Sequence, residues 1–182
     1  MSRLQSAENF AKERHLGKTI NEISHYIHLG AVVARLKNLG ITDQDTISAA
    51  WLHDIIEYTT TSFDEIDQRF GSKVAVLVLS ISKDKSLPKV KQEEQYVKQL
   101  RNSSVEAKII KLCDISANLK DLKVSSFSKS RKVKEMKKSL FYLNVIKSDL
   151  VKNMAQVPGI TSLVNGINDT IVPYGLRPVI LQ

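Results

Sequence analysis

Few residues in this chain of 182 could do chemistry, and their spacing is informative. There are four histidines. Two of them, His25 and His28, lie three residues apart, and a third is followed at once by an aspartate, His53-Asp54. Adjacent His and Asp side chains on a helix diverge by about 100°, yet both can reach one ion when a helix end is tilted at it. Glu57 comes four residues after His53, one turn further on the same helical face. Asp114 closes the run Ile109-Ile110-Lys111-Leu112-Cys113-Asp114, where its surroundings half-bury it and its charge needs a partner. Two imidazoles and two carboxylates suit a borderline or moderately hard divalent ion: Mn²⁺, Fe²⁺, Zn²⁺ or Co²⁺. Four such ligands leave room for water and a phosphate oxygen, an arrangement for hydrolysis. By itself the His53-Asp54 dipeptide is by default a cap or a surface pair. The first ligand is His28 or, alternatively, His25.

Helices must position these groups. Seven Gly, four Pro and the scarcity of alternating valine-rich runs leave helical periodicity nearly everywhere. A first amphipathic helix begins around Leu4, Phe10 and Ala11. A second carries His28, Val32, Arg35 and Leu36 and stops near Gly40. Thr42 and Asp43 can cap a third, predicted to run through Ile47, Trp51, His53 and Asp54. Ser62-Phe63-Asp64-Glu65 opens a short helix that Gly71 ends. Residues 72–83 fit a strand or a buried helix, and helices on both sides favour the helix. A loop at Lys85–Lys89 contains Pro88, helices over 90–101 and 104–123 follow, and a long Lys-rich helix spans 128–154. Beyond Pro158-Gly159 the pattern weakens, and Pro173, Gly175 and Pro178 suggest an extended tail on the body of the protein. The expected fold is all-α, a single-domain helical bundle over residues 1–155 with a C-terminal helix or extended tail over 156–182.

Composition excludes several classes. With 42% hydrophobic and 25% charged residues, the chain is an ordinary globular one. Its single Cys rules out an intramolecular disulfide framework and a cysteine-built zinc site. No run of about 18 apolar residues predicts a membrane span, and MSRLQSAENFAKERH lacks a signal peptide's apolar stretch, so a cytoplasmic protein is expected. The net charge of +8 fits a nucleic acid or a phosphorylated small molecule as partner, or solubility alone. Nucleic acid is disfavoured, because aromatics are 6% of the chain and do not interleave with the Lys-rich helix.

The order His28…His53-Asp54…Asp114 resembles the H…HD…D signature of the HD-superfamily metal-dependent phosphohydrolases. The segments AAWLHDIIEYTTTSFDEIDQRFG (49–71), KIIKLCDISANLKDL (108–122) and DKSLPK (84–89) are similar to the hydrolase domain of the RelA/SpoT proteins. The stand-alone small alarmone hydrolases, of the metazoan SpoT homologue type, are the nearest form. The likeness covers roughly residues 3–150. It implies an HD-type helical bundle with His28, His53, Asp54 and Asp114 as ligands, usually of Mn²⁺, and loss of pyrophosphate from the ribose 3′ position of guanosine tetra- or pentaphosphate. By the same likeness Glu57 positions or deprotonates the attacking water. Lys89 meets substrate phosphate, Asn118 bonds the nucleotide, and Lys132 falls at a phosphate-binding Arg.

This sequence also departs from that pattern. Tyr58 stands at the second acid of the family's Glu-Asp pair, and HLGKTINEIS (15–24) keeps only Lys18 of a basic segment. These changes leave two other readings open: an HD hydrolase of another nucleotide or phosphomonoester, such as the 2′-phosphate of NADPH, or a degenerate module that binds metal and nucleotide. An anionic nucleotide is the expected partner, and the oligomeric state, with a homodimer as one choice, is not set by the sequence.

Overall fold

Helix α8 (Val105–Val124) is the axis around which the rest is arranged. The structure is a computed structural model and describes residues 2–182. Eleven of the twenty residues of α8 are buried, on more than one face, as expected of a helix enclosed by others rather than lying on a surface. Ser104 caps it, its side chain accepting from Ala107 N–H, and Ser125 ends it.

Ten α-helices and one small hairpin make up the described residues. α1 (Arg3–Arg14) packs on α3 (Gln44–Leu52), and α2 (His25–Asn38) packs on both α3 and α8. α5 (Phe63–Phe70) and α6 (Ser72–Ser80) pack on each other, with Gly71 between them at φ 87°, a left-handed backbone that suits glycine. A carbon added there would meet the Arg3 guanidinium at 2.5 Å. α7 (Lys89–Asn102) and α8 each pack on α9 (Lys129–Lys152). The buried Lys108 of α8 donates to Asp149 Oδ2 of α9 at 2.6 Å and to the Arg101 carbonyl of α7 at 2.9 Å, which pins three helices together.

Two features depart from the sequence expectation, and the C-terminal stretch, expected as a helix or an extended tail, is resolved into both. The third helix does not run through His53 and Asp54: α3 ends at Leu52, and a short α4 (Ile55–Tyr58) follows. At this break His53 Nδ1–H donates to the Ala50 carbonyl at 2.9 Å, a side-chain bond to a group that would otherwise continue the ladder. A hairpin of β1 (Thr19–Ile20) and β2 (Ile23–Ser24) precedes α2, with Thr19 opposite Ser24 and Ile20 opposite Ile23. Its turn residues Asn21 and Glu22 both have positive φ, 49° and 69°, as a two-residue hairpin turn requires. Finally, α10 (Gly159–Ile171) forms where the pattern looked weak. It buries Ile160, Val164, Ile167 and Ile171, a helical stripe that packs on α8. A 3-10 turn over Val172–Tyr174 follows, and the extended end is clipped to α10 by Asn168, which donates to the Val179 carbonyl at 2.9 Å and accepts its N–H at 2.7 Å.

The expected all-α, single-domain bundle is the observed one. No helix among the described residues is long and apolar enough to cross a membrane. Since Ile110 of α8 is fully buried in the core, Ile110→Ala is expected to cost about 2–5 kcal/mol, read as a lower midpoint in denaturant unfolding at unchanged slope.

Candidate metal centre

Three elements bring the titratable groups together. α2 supplies His25 and His28 from its first turn, the break between α3 and α4 supplies His53 and Asp54, and the middle of α8 supplies Asp114. All five are buried. One ligand-capable atom each from His28, His53 and Asp114 lies within 4.8 Å of the others. Asp54 adds an oxygen: its Oδ1 is 3.4 Å from His53 Nε2, and Asp114 Oδ1 is 3.5 Å from the same nitrogen.

The hydrogen bonds fix the direction of each group. His53 uses Nδ1–H on Ala50, so Nε2 carries the lone pair. That Nε2 is buried without a hydrogen-bond partner, which makes it an unsatisfied acceptor aimed into the cluster. His28 Nδ1–H donates to Asp121 Oδ2 at 3.0 Å, and its Nε2 faces Asp114 Oδ1 at 3.2 Å. A histidine held through its far nitrogen by a carboxylate or carbonyl, with the near nitrogen turned toward carboxylates, is the usual posture of a metal ligand. Asp114 is held twice more, by Lys111 Nζ at 2.8 Å on Oδ2 and by Asn118 Nδ2 at 2.6 Å on Oδ1. Asn118 in turn accepts from Asn21 Nδ2 at 3.1 Å, so the hairpin braces the site. These donors fit a divalent ion held by two imidazoles and carboxylate oxygens. Of the two candidate histidines, His28 shares the cluster, whereas His25 Nε2–H is spent on Asp54 Oδ2 at 2.8 Å.

Electrostatics follow from burial and pairing. Burial opposes charging His28, but hydrogen bonds to Asp114 and Asp121 outweigh it and raise its pKa to about 10. Burial likewise opposes charge on His53, and the Asp54 and Asp114 carboxylates reverse the shift upward. Both aspartates sit below the usual carboxylate range despite burial: Asp54 through His53 and His25, Asp114 chiefly through Lys111 and the two histidines. Glu57 moves the other way, raised mainly by burial, although its Oε1 accepts Lys83 N–H at 2.9 Å.

A cavity of about 540 Å³ opens beside Asp54 and Asp114. Glu57, Tyr58, Lys89 and Asn118 line it, as does Asn21 of the hairpin. Lys132 does not: its Nζ donates to the Lys123 carbonyl at 3.0 Å, and α9 reaches the cavity with Glu135, Lys138, Ser139 and Tyr142 instead. The far wall was not foreseen from sequence. There Lys83 binds Glu93 and donates to Tyr142 Oη at 2.6 Å, while Lys83 and Lys111 both lie against the rings of Tyr96 and Tyr142, 4.9–5.6 Å from their centroids. Lys111 carried a signal, being a lysine inside an apolar run three residues before Asp114. Lys83, the last residue of the apolar stretch 72–83, carried none.

A helical bundle that gathers buried imidazoles and carboxylates at the head of a cavity with both lysines and carboxylates in its walls has the donor set for a divalent ion beside a polar ligand site. Comparison with known proteins is specific. The HD domain family matches residues 4–143, and the chain belongs to that family. It is 43% identical over 118 residues to the guanosine-3′,5′-bis(diphosphate) 3′-pyrophosphohydrolase MESH1 of Danio rerio, a match covering 63% of this chain and 66% of that protein. The Mus musculus protein of the same name is 39% identical over 125 residues, 66% of this chain and 70% of its own. The aligned part thus spans about two thirds of the relatives' length. Among solved structures, a metazoan ortholog of SpoT, described as hydrolysing ppGpp and acting in starvation responses, superposes with a TM-score of 0.77 at 26% identity, covering 97% of this chain and 98% of that one.

Because His53 Nε2 is a ready-made acceptor, adding Mn²⁺ to metal-free protein is expected to raise its melting temperature in proportion to RT ln(1 + [Mn²⁺]/Kd). His53→Ala should abolish that rise, as differential scanning fluorimetry would show.

Proposed function

We propose that this protein is a divalent-metal-dependent phosphohydrolase that removes pyrophosphate from the ribose 3′ position of guanosine 3′,5′-bis(diphosphate). In this reading His28, His53, Asp54 and Asp114 hold the ion, with Mn²⁺ preferred, and the substrate points to the cytoplasm as the compartment. The observation that carries it is the unpartnered His53 Nε2, turned toward Asp54 and Asp114 where a lysine-bearing cavity opens. Support comes from the family membership and from relatives named for this reaction.

The ion, when bound, supplies Lewis-acid neutralisation of phosphoryl charge and a more acidic water. The chain's own groups do the rest. Glu57 is held by Lys83 N–H at the cavity wall, and burial raises its proton affinity, so it can orient a water and take its proton. Lys89, at the first position of α7, faces the cavity and meets phosphate oxygens. Asn118 keeps Asp114 in place and, together with Asn21, offers amides to the nucleotide.

A second reading rests on Tyr58. Its half-exposed ring forms part of the cavity wall with Lys85 Nζ 5.0 Å from its centroid, at the position that the resemblance to the RelA/SpoT hydrolase domain gives to the second acid of a Glu-Asp pair. This favours a different phosphorylated nucleotide or a phosphomonoester, and release of phosphate rather than pyrophosphate from a nucleotide panel would mark it.

Incubation of Mn²⁺-loaded protein with guanosine 3′,5′-bis(diphosphate) is expected to yield guanosine diphosphate and pyrophosphate, followed by chromatography. Glu57→Gln should lower kcat about 10²–10⁴-fold while Mn²⁺ binding persists. No guanosine diphosphate above a chelator-treated control would refute the reading.

A further inference from the structure

Each group of the candidate centre has a partner outside it, and the set shows what His25 is for. His28 is held by Asp121, His53 by the Ala50 carbonyl, and Asp114 by Lys111 and Asn118. Asp54 is the exception in its origin. It follows the end of α3 and makes no capping bond to its own backbone, so its side chain has no local restraint. His25 supplies one from 29 residues away, through Nε2–H to Oδ2 at 2.8 Å.

His25 is itself built into position. It is 1% exposed, and its ring lies between His15, with centroids 4.2 Å apart, and Tyr58, at 4.9 Å and nearly perpendicular. His15 is also buried and is fixed through Nδ1–H to the Ala11 carbonyl at 2.9 Å. Tyr58 is fixed at its backbone, where its carbonyl accepts from Lys18 Nζ. With the ring packed on two sides, Nε2–H is directed at Asp54. Asp54 Oδ2 is thereby occupied, and Oδ1 is the oxygen left facing His53 Nε2.

We propose that His25 is a positioning residue for the metal carboxylate: clamped between His15 and Tyr58, it locks Asp54 with Oδ2 turned away and Oδ1 presented to the ion, and does not itself ligate. Tyr58 thereby gains a structural role as one wall of that clamp. The inference rests on the metal centre proposed above. It goes beyond that proposal in giving His25 and Tyr58, two residues with no ligand role, control over the geometry of one ligand. An unlocked Asp54 would be free to turn either oxygen, or neither, toward the ion. The consequence is weaker metal binding with the imidazole ligands unchanged, since outer partners of ligands commonly tune affinity about 10–100-fold.

Two variants separate the donor from the ring. His25→Phe keeps a flat ring between His15 and Tyr58 but removes the N–H, and His25→Gln keeps an N–H donor. Mn²⁺ affinity of the metal-free proteins is measured by titration calorimetry, and the number of coordinated imidazole nitrogens by electron spin echo modulation. The expected result is about 10–100-fold weaker binding in His25→Phe, binding within about threefold of wild type in His25→Gln, and two imidazoles in all three proteins. If His25→Phe binds Mn²⁺ as tightly as wild type, the positioning role is refuted. If either variant loses one imidazole signal, His25 is a ligand and the proposal is equally refuted. Should His25→Phe not fold, His25→Gln alone decides: two imidazoles and near-native affinity support the proposal, and one imidazole or a tenfold loss overturns it. A wild-type protein that takes up no Mn²⁺ would instead bring down the metal centre itself, and the positioning role with it.

Discussion

Two buried carboxylates, Asp54 and Asp114, constrain everything around them. Removing an ionised carboxylate from water costs several kcal/mol unless nearby donors and charges compensate. In this fold the compensation is assembled from widely separated parts of the chain: His25 and His28 at the start of α2, His53 beside the helix break, Lys111 and Asn118 on α8. All four histidines of the chain are buried around this point. The apolar core that packs α1, α2, α3, α8 and α9 together therefore also brings one set of charges into register.

The break between α3 and α4 is the local device that makes this geometry available. On an unbroken helix His53 and Asp54 would point about 100° apart. Ending α3 at Leu52 lets both side chains turn to the same side, and the Nδ1 bond to Ala50 settles which nitrogen of His53 looks inward. α8 plays the complementary part. It is buried on several faces, so it can carry Asp114 to the centre of the bundle, and its next turn delivers Asn118 and then Asp121 to the same side. The hairpin adds a brace from outside through Asn21.

Much of this was legible in the residues, for physical reasons that differ from one to the next. Asp114 stood out because a carboxylate inside an apolar run must find a partner. Gly71 and the capping Ser62 marked helix ends because their preferences are local. The helix break was invisible, because its cause is a side-chain bond within a stretch of good helix formers. The hairpin was hidden because two residues per strand leave no alternation to read. Lys132, expected at substrate phosphate, lies outside the cavity lining. Glu135, Lys138, Ser139 and Tyr142 form one stripe of α9 along the cavity, and Lys132 lies on the same stripe one turn too early. At 1.5 Å per residue it sits about 9 Å along the axis from Lys138, which is enough to put it beside Lys123 instead.

The charge of the chain looks different once its location is known. A net +8 suggests a protein ready for anions anywhere on its surface. The cavity itself says otherwise. Four lysines line it, Lys83, Lys89, Lys111 and Lys138, against five carboxylates, Asp54, Asp114, Glu57, Glu93 and Glu135. Two of the lysines are already committed, Lys83 to Glu93 and Lys111 to Asp114. By formal charge the cavity is slightly negative and would repel a polyphosphate. In the proposed reading, a divalent ion at His28, His53 and the aspartates would reverse that sign, with Lys89 and Lys138 there to meet phosphate oxygens. The overall positive charge can draw an anion toward the molecule, but the centre that the buried carboxylates build decides whether the anion can stay.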